Sequence, residues 1–269
     1  MEGLVGKYEF YKEAFIKNID LAAKYDGIYK DGAYDNYFTY NMYAAEKLIV
    51  DAIPTWAGID VLDIGCGEGN LSAMLSFAGA NHVDGVDYSE EAVKLANSRI
   101  NIDNVDFIYS DYKGVNSKYD VVVMNGVLEH FDNPWVELDF IRKNLLKDNG
   151  YVVTTSPSFL NPRGYVWMTL QLLLDVPMSL SDLHFLCPFD FIEYCKKSDC
   201  SLGFESCDQD WGAGERTILD FRKRLTNALK DAELSNVNVE KLLTWMEKAV
   251  PFFNTDEHTG AMVAYKIGK

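Results

Sequence analysis

The sequence is short of positive charge, with 25 lysines and arginines against 41 aspartates and glutamates and a formal net charge of −16. Proteins that bind a nucleic-acid backbone or an anionic membrane surface usually carry the opposite balance, because phosphates attract basic side chains. We therefore expect no nucleic acid among the partners of this chain. The charge does not identify a substrate, since an acidic surface also serves solubility alone.

The chain also lacks a long hydrophobic run. The longest one, residues 165–174, is interrupted by Thr169 and Gln171 and has about half of the ~20 residues that a membrane-spanning helix needs. No apolar segment with a small-residue cleavage site follows the acidic start, so we expect neither a secretory signal nor stable membrane insertion. The five cysteines form no Cys-x-x-Cys pair, which favours reduced thiols and a cytoplasmic location.

Short apolar runs alternate with amphipathic helical segments from residue 60 onward. The predicted strands are 60–64, 82–86, 105–109, 119–124 and 151–155, with a last one at 261–267. Strands that alternate with helices at this spacing predict an α/β fold with a doubly wound, mostly parallel sheet.

The segment before this alternation, residues 1–50, is predicted to be an N-terminal helical cap rich in tyrosine, and residues 51–269 to be the main domain. Tyr34 and Tyr37 lie beside polar and glycine residues and are candidates for a lid over the substrate. The alternative is that these rings only pack, as aromatic side chains at helical spacing often do.

Two insertions, at about 157–187 and 209–257, exceed a minimal fold of this kind. Additions at such positions usually cover a site or an oligomer interface, which leaves a homodimer open. The first insertion is apolar and aromatic, and it is either a lid that supplies an apolar acceptor pocket or a patch that reaches a lipid-borne substrate. Because Arg163 is its only basic residue, we favour the lid.

A glycine-rich turn, DIGCGEGN at 63–70, follows the first predicted strand. Glycines let a backbone turn sharply and approach a ligand closely. No lysine is present, which excludes a Walker phosphate loop. The spacing is GxGxG rather than the GxGxxG of dinucleotide-binding folds, and Asp63 and Glu68 flank the glycines. Carboxylates repel a pyrophosphate and attract ammonium and sulfonium groups, so a nicotinamide oxidoreductase is the weaker alternative.

Polar residues also follow the next three predicted strands. Asp87 ends the second strand, where a carboxylate can accept hydrogen bonds from both ribose hydroxyls. Asp111 follows the third strand, where an acid can accept from an exocyclic adenine amine. Asn125 and Gly126 end the fourth, at the edge where open α/β sheets bind ligands.

Together these motifs resemble the class I S-adenosylmethionine-dependent methyltransferases. The matching segments are VLDIGCGEG (61–69), GVDYS (85–89), SD (110–111), YDVVVMNGVLEHFDNP (119–134) and LLKDNGYVVTTSP (145–157). The resemblance is close over 61–157 and looser over 184–207 and 261–267. It is closest to the branch that includes quinone-biosynthesis and small-molecule O-methyltransferases.

The resemblance implies a Rossmann-like, seven-stranded sheet with an antiparallel last strand, S-adenosyl-L-methionine as donor and S-adenosyl-L-homocysteine as product. It places the methionine end of the donor at Asp63 and the glycines, and the ribose at Asp87. Tyr88 would pack on the ribose or adenine, and Asp111 and Tyr112 would flank the adenine. The implied donor-binding residues are Asp63, Gly65, Cys66, Gly67, Gly69, Asn70, Asp87, Tyr88, Asp111, Tyr112, Asn125 and Gly126.

The resemblance also places Asn125 near the methionine carboxyl end. Metal-dependent methyltransferases carry acids at the ends of the fourth and fifth strands, where this chain has Asn125 and Thr155-Ser156. Amides and hydroxyls are poor ligands for a hard cation, so we expect no metal.

Two histidines are candidate catalytic residues. His130 follows the donor-binding end of the fourth strand, and histidine is a residue type that often serves as a general base, although His130 can equally order the loop. His184, at the end of the apolar insertion, is the second candidate, with packing as its alternative.

We therefore expect an enzyme that transfers a methyl group by in-line displacement to a small molecule. A hydroxyl of a sugar, glycan precursor or specialised metabolite is the expected acceptor. The alternatives are an N- or C-methyltransferase of a small molecule and a protein that binds the donor without catalysis, because a fold does not determine the acceptor atom.

Overall fold

A computed structural model describes residues 43–176 and 184–269 of the chain. The strands are β1 (Asp60–Ile64), β2 (His82–Asp87), β3 (Val105–Tyr109), β4 (Tyr119–Asn125), β5 (Leu146–Pro157), β6 (Leu202–Cys207) and β7 (Met262–Gly268). The helices are α1 (Tyr43–Asp51), α2 (Asn70–Phe77), α3 (Glu90–Arg99), α4 (Pro134–Asn144), α5 (Pro162–Leu174), α6 (Pro188–Lys197), α7 (Glu215–Asp231) and α8 (Val239–Ala249). Most of the predicted cap, including Tyr34 and Tyr37, lies outside the described residues.

The seven strands form one sheet in the order β3-β2-β1-β4-β5-β7-β6. Only β7 is antiparallel to its neighbours, β5 and β6. The predicted doubly wound, mostly parallel sheet with an antiparallel last strand is therefore confirmed. β5 begins at Leu146 rather than Tyr151, because Leu146 already pairs with Tyr119 before a register shift in that ladder.

The centre of the sheet is a parallel pair, β1 and β4, in which Val61 to Ile64 lie opposite Val121 to Met124. These residues are buried, and a strand buried on both faces needs the apolar sequence seen here. The chain runs outward from β1 to β3 and then returns to the centre at β4. Such a reversal opens a crevice at the carboxyl ends of the two strands, where ligands bind in open α/β sheets.

Alternate residues of β1 contact helices on opposite faces of the sheet. Leu62 lies in an apolar cluster with Leu138 of α4 and Phe191 of α6. Val61 lies in a second cluster, with Ile49 of α1 and Leu71 of α2. Asp63 is two residues beyond Val61 and therefore points to the face that α1 and α2 cover.

The two insertions pack against each other in a third apolar cluster. The rings of Trp167 in α5 and Phe221 in α7 lie 5.6 Å apart. Beside them, Arg163 donates from Nε to Asp220 Oδ2 at 2.9 Å, and both side chains are buried. Arg224 also pairs with Asp220, at 3.3 Å. Segments far apart in sequence are thus joined by one core and one buried ion pair.

The helix α5 of the first insertion buries one face and exposes the other. Trp167 and Gln171 are buried, whereas Tyr165 and residues 172–174 are exposed. None of the helices in the described ranges is long and apolar enough to cross a membrane.

We predict that Asp220→Ala lowers the free energy of unfolding by about 3–5 kcal/mol, because it leaves the buried Arg163 guanidinium without its carboxylate. The control is Arg222→Ala on the same helix, whose ion pairs with Glu240 and Glu247 are exposed and should contribute less than about 1 kcal/mol. Urea unfolding of the two variants measures the difference, and equal losses would contradict the prediction.

Candidate functional site

Four parallel strands end at the same edge of the sheet and bring most of the predicted site residues together. The glycine turn follows β1, Asp87 ends β2, Asp111 comes two residues after β3, and Asn125 ends β4. This convergence follows from the parallel pairing of β1 with both β2 and β4.

The glycine turn is held by backbone hydrogen bonds to β2. The amides of Gly65 and Cys66 both donate to the carbonyl of Val86, at 2.8 and 3.1 Å. The turn then closes with a bond from the Gly69 amide to the Cys66 carbonyl at 2.9 Å. The φ angles of Gly65, Gly67 and Gly69 are all positive, at 71°, 53° and 84°, a conformation that costs little only for glycine.

Neighbouring side chains add a second reason for glycine at two of these positions. A Cβ on Gly65 would lie 2.6 Å from Val127 Cγ2, and one on Gly69 would lie 2.4 Å from the Phe107 ring. Both contacts are shorter than real Cβ contacts. At these two positions the turn is therefore packed tightly against Val127, just beyond β4, and against Phe107 of β3.

Asp87 organises the turn and the start of the next helix with one carboxylate. Its Oδ2 accepts from the Gly67 amide at 2.9 Å, and its Oδ1 accepts from the Ser89 amide at 2.8 Å. Ser89 in turn caps α3, since its Oγ accepts from the Ala92 amide. The half-buried carboxylate is thus fixed at the end of β2, as a ribose-binding acid would have to be.

Asp63 is almost fully buried, at 1% exposure. Its Oδ2 accepts a hydrogen bond from Ser72 Oγ at 2.6 Å. Burial raises the pKa of Asp63 to about 7, and the negative charges of Asp87 and Glu46 raise it further against the opposing bond from Ser72. At neutral pH this carboxyl group is therefore only partly ionised.

Glu46 in α1 is a residue of this site that the sequence did not reveal. It is 3% exposed, and its Oε2 is buried without a hydrogen-bond partner among the described residues. Burial raises the pKa of Glu46 to about 7. In the sequence, Glu46 is one acid among many in a helical segment, and only the packing of α1 places it beside β1.

The two residues predicted to flank the adenine, Asp111 and Tyr112, differ in their exposure. Asp111 is exposed, and its Oδ1 accepts from the Lys113 amide at 2.8 Å. Tyr112 is buried, with its hydroxyl bound to Glu137 and its ring 5.5 Å from that of Phe131. Burial, together with Glu137, raises the pKa of Tyr112 well above its usual value. Its predicted contact with adenine would therefore be made through the ring rather than the hydroxyl.

The remaining donor-binding candidates differ in their burial. Cys66 is buried, Tyr88 is half-buried and Asn70 is exposed at the start of α2. Burial raises the pKa of the Cys66 thiol well above its usual value. The thiol is therefore protonated and serves the turn as a small apolar group.

At the end of β4, Asn125 Oδ1 accepts from Thr155 Oγ1 of β5 at 2.6 Å, and Gly126 follows with a φ of 65°. The chain then enters a short 3₁₀ turn, Leu128–His130. His130 thus lies directly beyond the strand end that carries Asn125.

The structure brings His184 to the same turn as His130. The His184 amide donates to the Glu129 carbonyl at 3.1 Å, and its Nε2 lies 3.3 Å from the Asp132 carbonyl oxygen. Both histidines are half-buried. Two candidates 54 residues apart in sequence therefore flank one turn beside the crevice.

One group of possible metal ligands occurs in the described part of the chain, but at the opposite end of the strands. His82 Nε2 lies 3.1 Å from Asp84 Oδ1 and 3.4 Å from Asp106 Oδ2. His82 begins β2 whereas Asp87 ends it, so this cluster is separate from the crevice.

With this geometry in view, the chain can be compared with known proteins. A family model described as a methyltransferase domain matches residues 37–199. The ribosomal protein L11 methyltransferase of Dictyoglomus thermophilum is 34% identical over 101 residues, which are 36% of this chain and 32% of that protein. The mitochondrial ubiquinone biosynthesis O-methyltransferase of Dictyostelium discoideum is 25% identical over 163 residues, which are 54% and 50% of the two chains.

The alignments therefore span about a third and a half of these two relatives. The fold extends further than the sequence similarity. A chain of the solved Haloferax volcanii complex between the Trm112 methyltransferase activator and a methyltransferase superposes with a TM-score of 0.60 at 18% identity. The superposition covers 90% of this chain and 96% of that chain.

We predict that Gly65→Ala weakens binding of S-adenosylmethionine and lowers the free energy of unfolding by about 2–4 kcal/mol, because the new Cβ meets Val127 as well as an unfavourable φ. Gly58→Ala is the matched control, since Gly58 has a φ of 79° but no atom within 4 Å of an added Cβ. This substitution should lower the free energy of unfolding by about 1–2 kcal/mol and leave the binding of S-adenosylmethionine unchanged. Calorimetric titration and urea unfolding measure both effects, and equal behaviour of the two variants would refute the prediction.

Proposed function

The chain belongs to the family of methyltransferase domains, and we propose that it is an S-adenosylmethionine-dependent methyltransferase that acts on a small-molecule acceptor. The observation that carries the proposal is the glycine turn between Asp63 and Asp87 at the β1–β4 crevice. The two acids flank a backbone that a ligand can approach closely, and both are fixed by hydrogen bonds.

The chemistry of these residues fits the donor. A cationic ligand is favoured beside carboxylates, above all beside a buried one such as Asp63, whose hydrogen bond comes from the neutral hydroxyl of Ser72. We assign the methionine end to Asp63 and the glycines, the ribose to Asp87 and Tyr88, and the adenine to the Asp111 side.

When bound, the donor would supply an electrophilic methyl group, whose bond to sulfur breaks as an acceptor oxygen bonds to it in line, so that S-adenosyl-L-homocysteine is the product. The role of the protein is mainly to hold donor and acceptor collinear and to exclude water. In this proposal the glycine turn holds the donor through backbone contacts. The acceptor must then be positioned by the elements that cover the crevice.

The proton of an acceptor hydroxyl needs a base, and we assign this role to His130, with His184 as the alternative. The contact of the His184 segment with the Glu129 carbonyl supports the assignment, because it brings a second imidazole to the turn that carries His130. Imidazole side chains are the commonest general bases in enzymes.

We further propose that the insertions supply the acceptor pocket. α5 follows the carboxyl end of β5, at the edge of the sheet where the crevice lies, and it packs with α7 and α8 in one apolar cluster. An apolar pocket suits a small organic acceptor. A hydroxyl of a sugar, glycan precursor or specialised metabolite remains our proposed acceptor, and an amine or carbon acceptor is the alternative.

We also propose that the protein acts in the cytoplasm and without a metal. All five cysteines are free, as in a reducing compartment. At the crevice, Asn125 accepts a hydrogen bond from Thr155, and neither an amide nor a hydroxyl side chain is a strong ligand for a hard cation.

The test of donor binding is calorimetry with S-adenosylmethionine, S-adenosylhomocysteine and NAD. We expect micromolar binding of the first two alone, and Asp87→Ala should weaken it at least about tenfold because charge-assisted hydrogen bonds are lost. Asp106→Ala, at an exposed acid of β3, is the control and should bind as the wild type does. Binding of NAD without either adenosyl ligand would refute the proposed donor.

The test of the base uses a methyl-labelled donor and a panel of small hydroxylated, amine and carbon acceptors. With an acceptor identified, His130→Ala should reduce turnover about 100-fold or more while donor affinity stays within about twofold. His184→Ala shows in parallel whether the second imidazole is required. Unchanged turnover in His130→Ala would exclude it as the base, and donor binding without transfer to any acceptor would favour the non-catalytic alternative.

A further inference from the structure

Two buried carboxyl groups, Glu46 and Asp63, lie on the same side of the sheet beside the proposed donor site. Ile49 of α1 and Val61 of β1 belong to one apolar cluster. Glu46 is three residues before Ile49 and so lies on the same face of α1, one turn nearer its start. Asp63 is two residues after Val61, one step nearer the carboxyl edge. Helix and strand therefore bring the two acids together at the crevice.

The two acids differ in the hydrogen bonds that their carboxyl oxygens accept. Asp63 accepts a bond from Ser72 of α2. Glu46 Oε2 is buried without a hydrogen-bond partner among the described residues. A buried carboxylate oxygen without a donor is costly, and a positively charged ligand group would remove that cost.

We propose that Glu46 is a donor-positioning residue that completes, with Asp63, a two-carboxylate site for the ammonium group of the methyl donor, so that donor binding expels a proton from the pair. The inference rests on the proposed function. Without ligand, the two acids share a proton, because two negative charges at one buried site repel each other. An ammonium group between them stabilises both charges, the carboxyl O–H bond breaks, and the proton passes to the solvent.

The groups that surround Asp63 and Glu46 are consistent with the release of this proton when the ammonium group binds. Asp87 of β2 and Cys66 of the turn face Asp63, and the negative charge of Asp87 adds to the repulsion. Burial raises the pKa of both Glu46 and Asp63 to about 7, so that they titrate in the physiological range.

The other charged groups on the elements around α1 are engaged elsewhere. Lys266 of β7 donates to the Ala52 carbonyl, just beyond the last turn of α1. Lys147 pairs with Asp60 and Asp120 at the amino ends of β1 and β4. Glu205 of β6 is exposed. In the described part of the chain, none of these lysines pairs with Glu46 or Asp63.

The test measures proton release on binding, by calorimetry in buffers of different ionisation enthalpy. S-adenosylmethionine and S-adenosylhomocysteine both carry the ammonium group, and each should release about one proton near pH 7. Their affinities should rise about 100-fold from pH 6 to pH 8, because the release of one proton changes the affinity about tenfold for each pH unit. Methylthioadenosine lacks the amino-acid portion, so it should release none and bind equally at both values.

Glu46→Gln keeps the shape of the side chain and removes its charge. Proton release should fall to about half in this variant, and the rise in affinity from pH 6 to pH 8 should fall to about tenfold, because only Asp63, which burial keeps partly protonated, still gives up a proton. Asp51→Asn, at an exposed acid of the same helix, is the control and should behave as the wild type does. A purely structural role for Glu46 would change affinity without changing the number of protons released.

The outcomes separate this inference from the proposed function. Binding of both adenosyl ligands without proton release, release that is undiminished in Glu46→Gln, or release with S-adenosylmethionine alone would each overturn the ammonium site and leave the methyltransferase proposal standing. Failure of both adenosyl ligands to bind would overturn the proposed function, and this inference with it.

Discussion

The parallel pairing of β1 with both β2 and β4 is the constraint on which the rest of the structure depends. It buries the apolar residues of the central strands on both faces and brings the carboxyl ends of three strands to one edge. The reversal of chain direction between β3 and β4 opens the crevice there. The glycine turn is compatible with this pairing because its backbone passes within hydrogen-bond distance of Val86 at the end of β2.

The net charge of the chain is −16, and three of its acids interact beside this edge, because the negative charges of Asp87 and Glu46 act on the buried Asp63. Asp87 is fixed by two backbone amides, and Asp63 and Glu46 are taken out of water. A site that destabilises its own negative charges favours a cationic ligand. The same burial makes the ligand-free site sensitive to pH.

The two insertions form the third apolar cluster, around Trp167 and Phe221, and the buried ion pair of Arg163 and Asp220 stabilises it. The first insertion follows β5 and the second precedes β7, and in the proposed function they form the acceptor side. This separation is consistent with a family in which one donor-binding core serves many acceptors.

The sequence by itself determined the sheet, its strand positions and the glycine turn, because these depend on local periodicity and on glycine conformations that short motifs specify. It also singled out Asp63 within the first predicted strand, Asp87 directly after the second, and His130 a few residues beyond the fourth. It did not reveal Glu46 or the contact between the His184 segment and the Glu129 carbonyl. Those depend on how α1 lies across the sheet and on how an insertion returns to the turn after β4. Such contacts join residues far apart in the chain, and only the packing of the folded protein decides which of them meet.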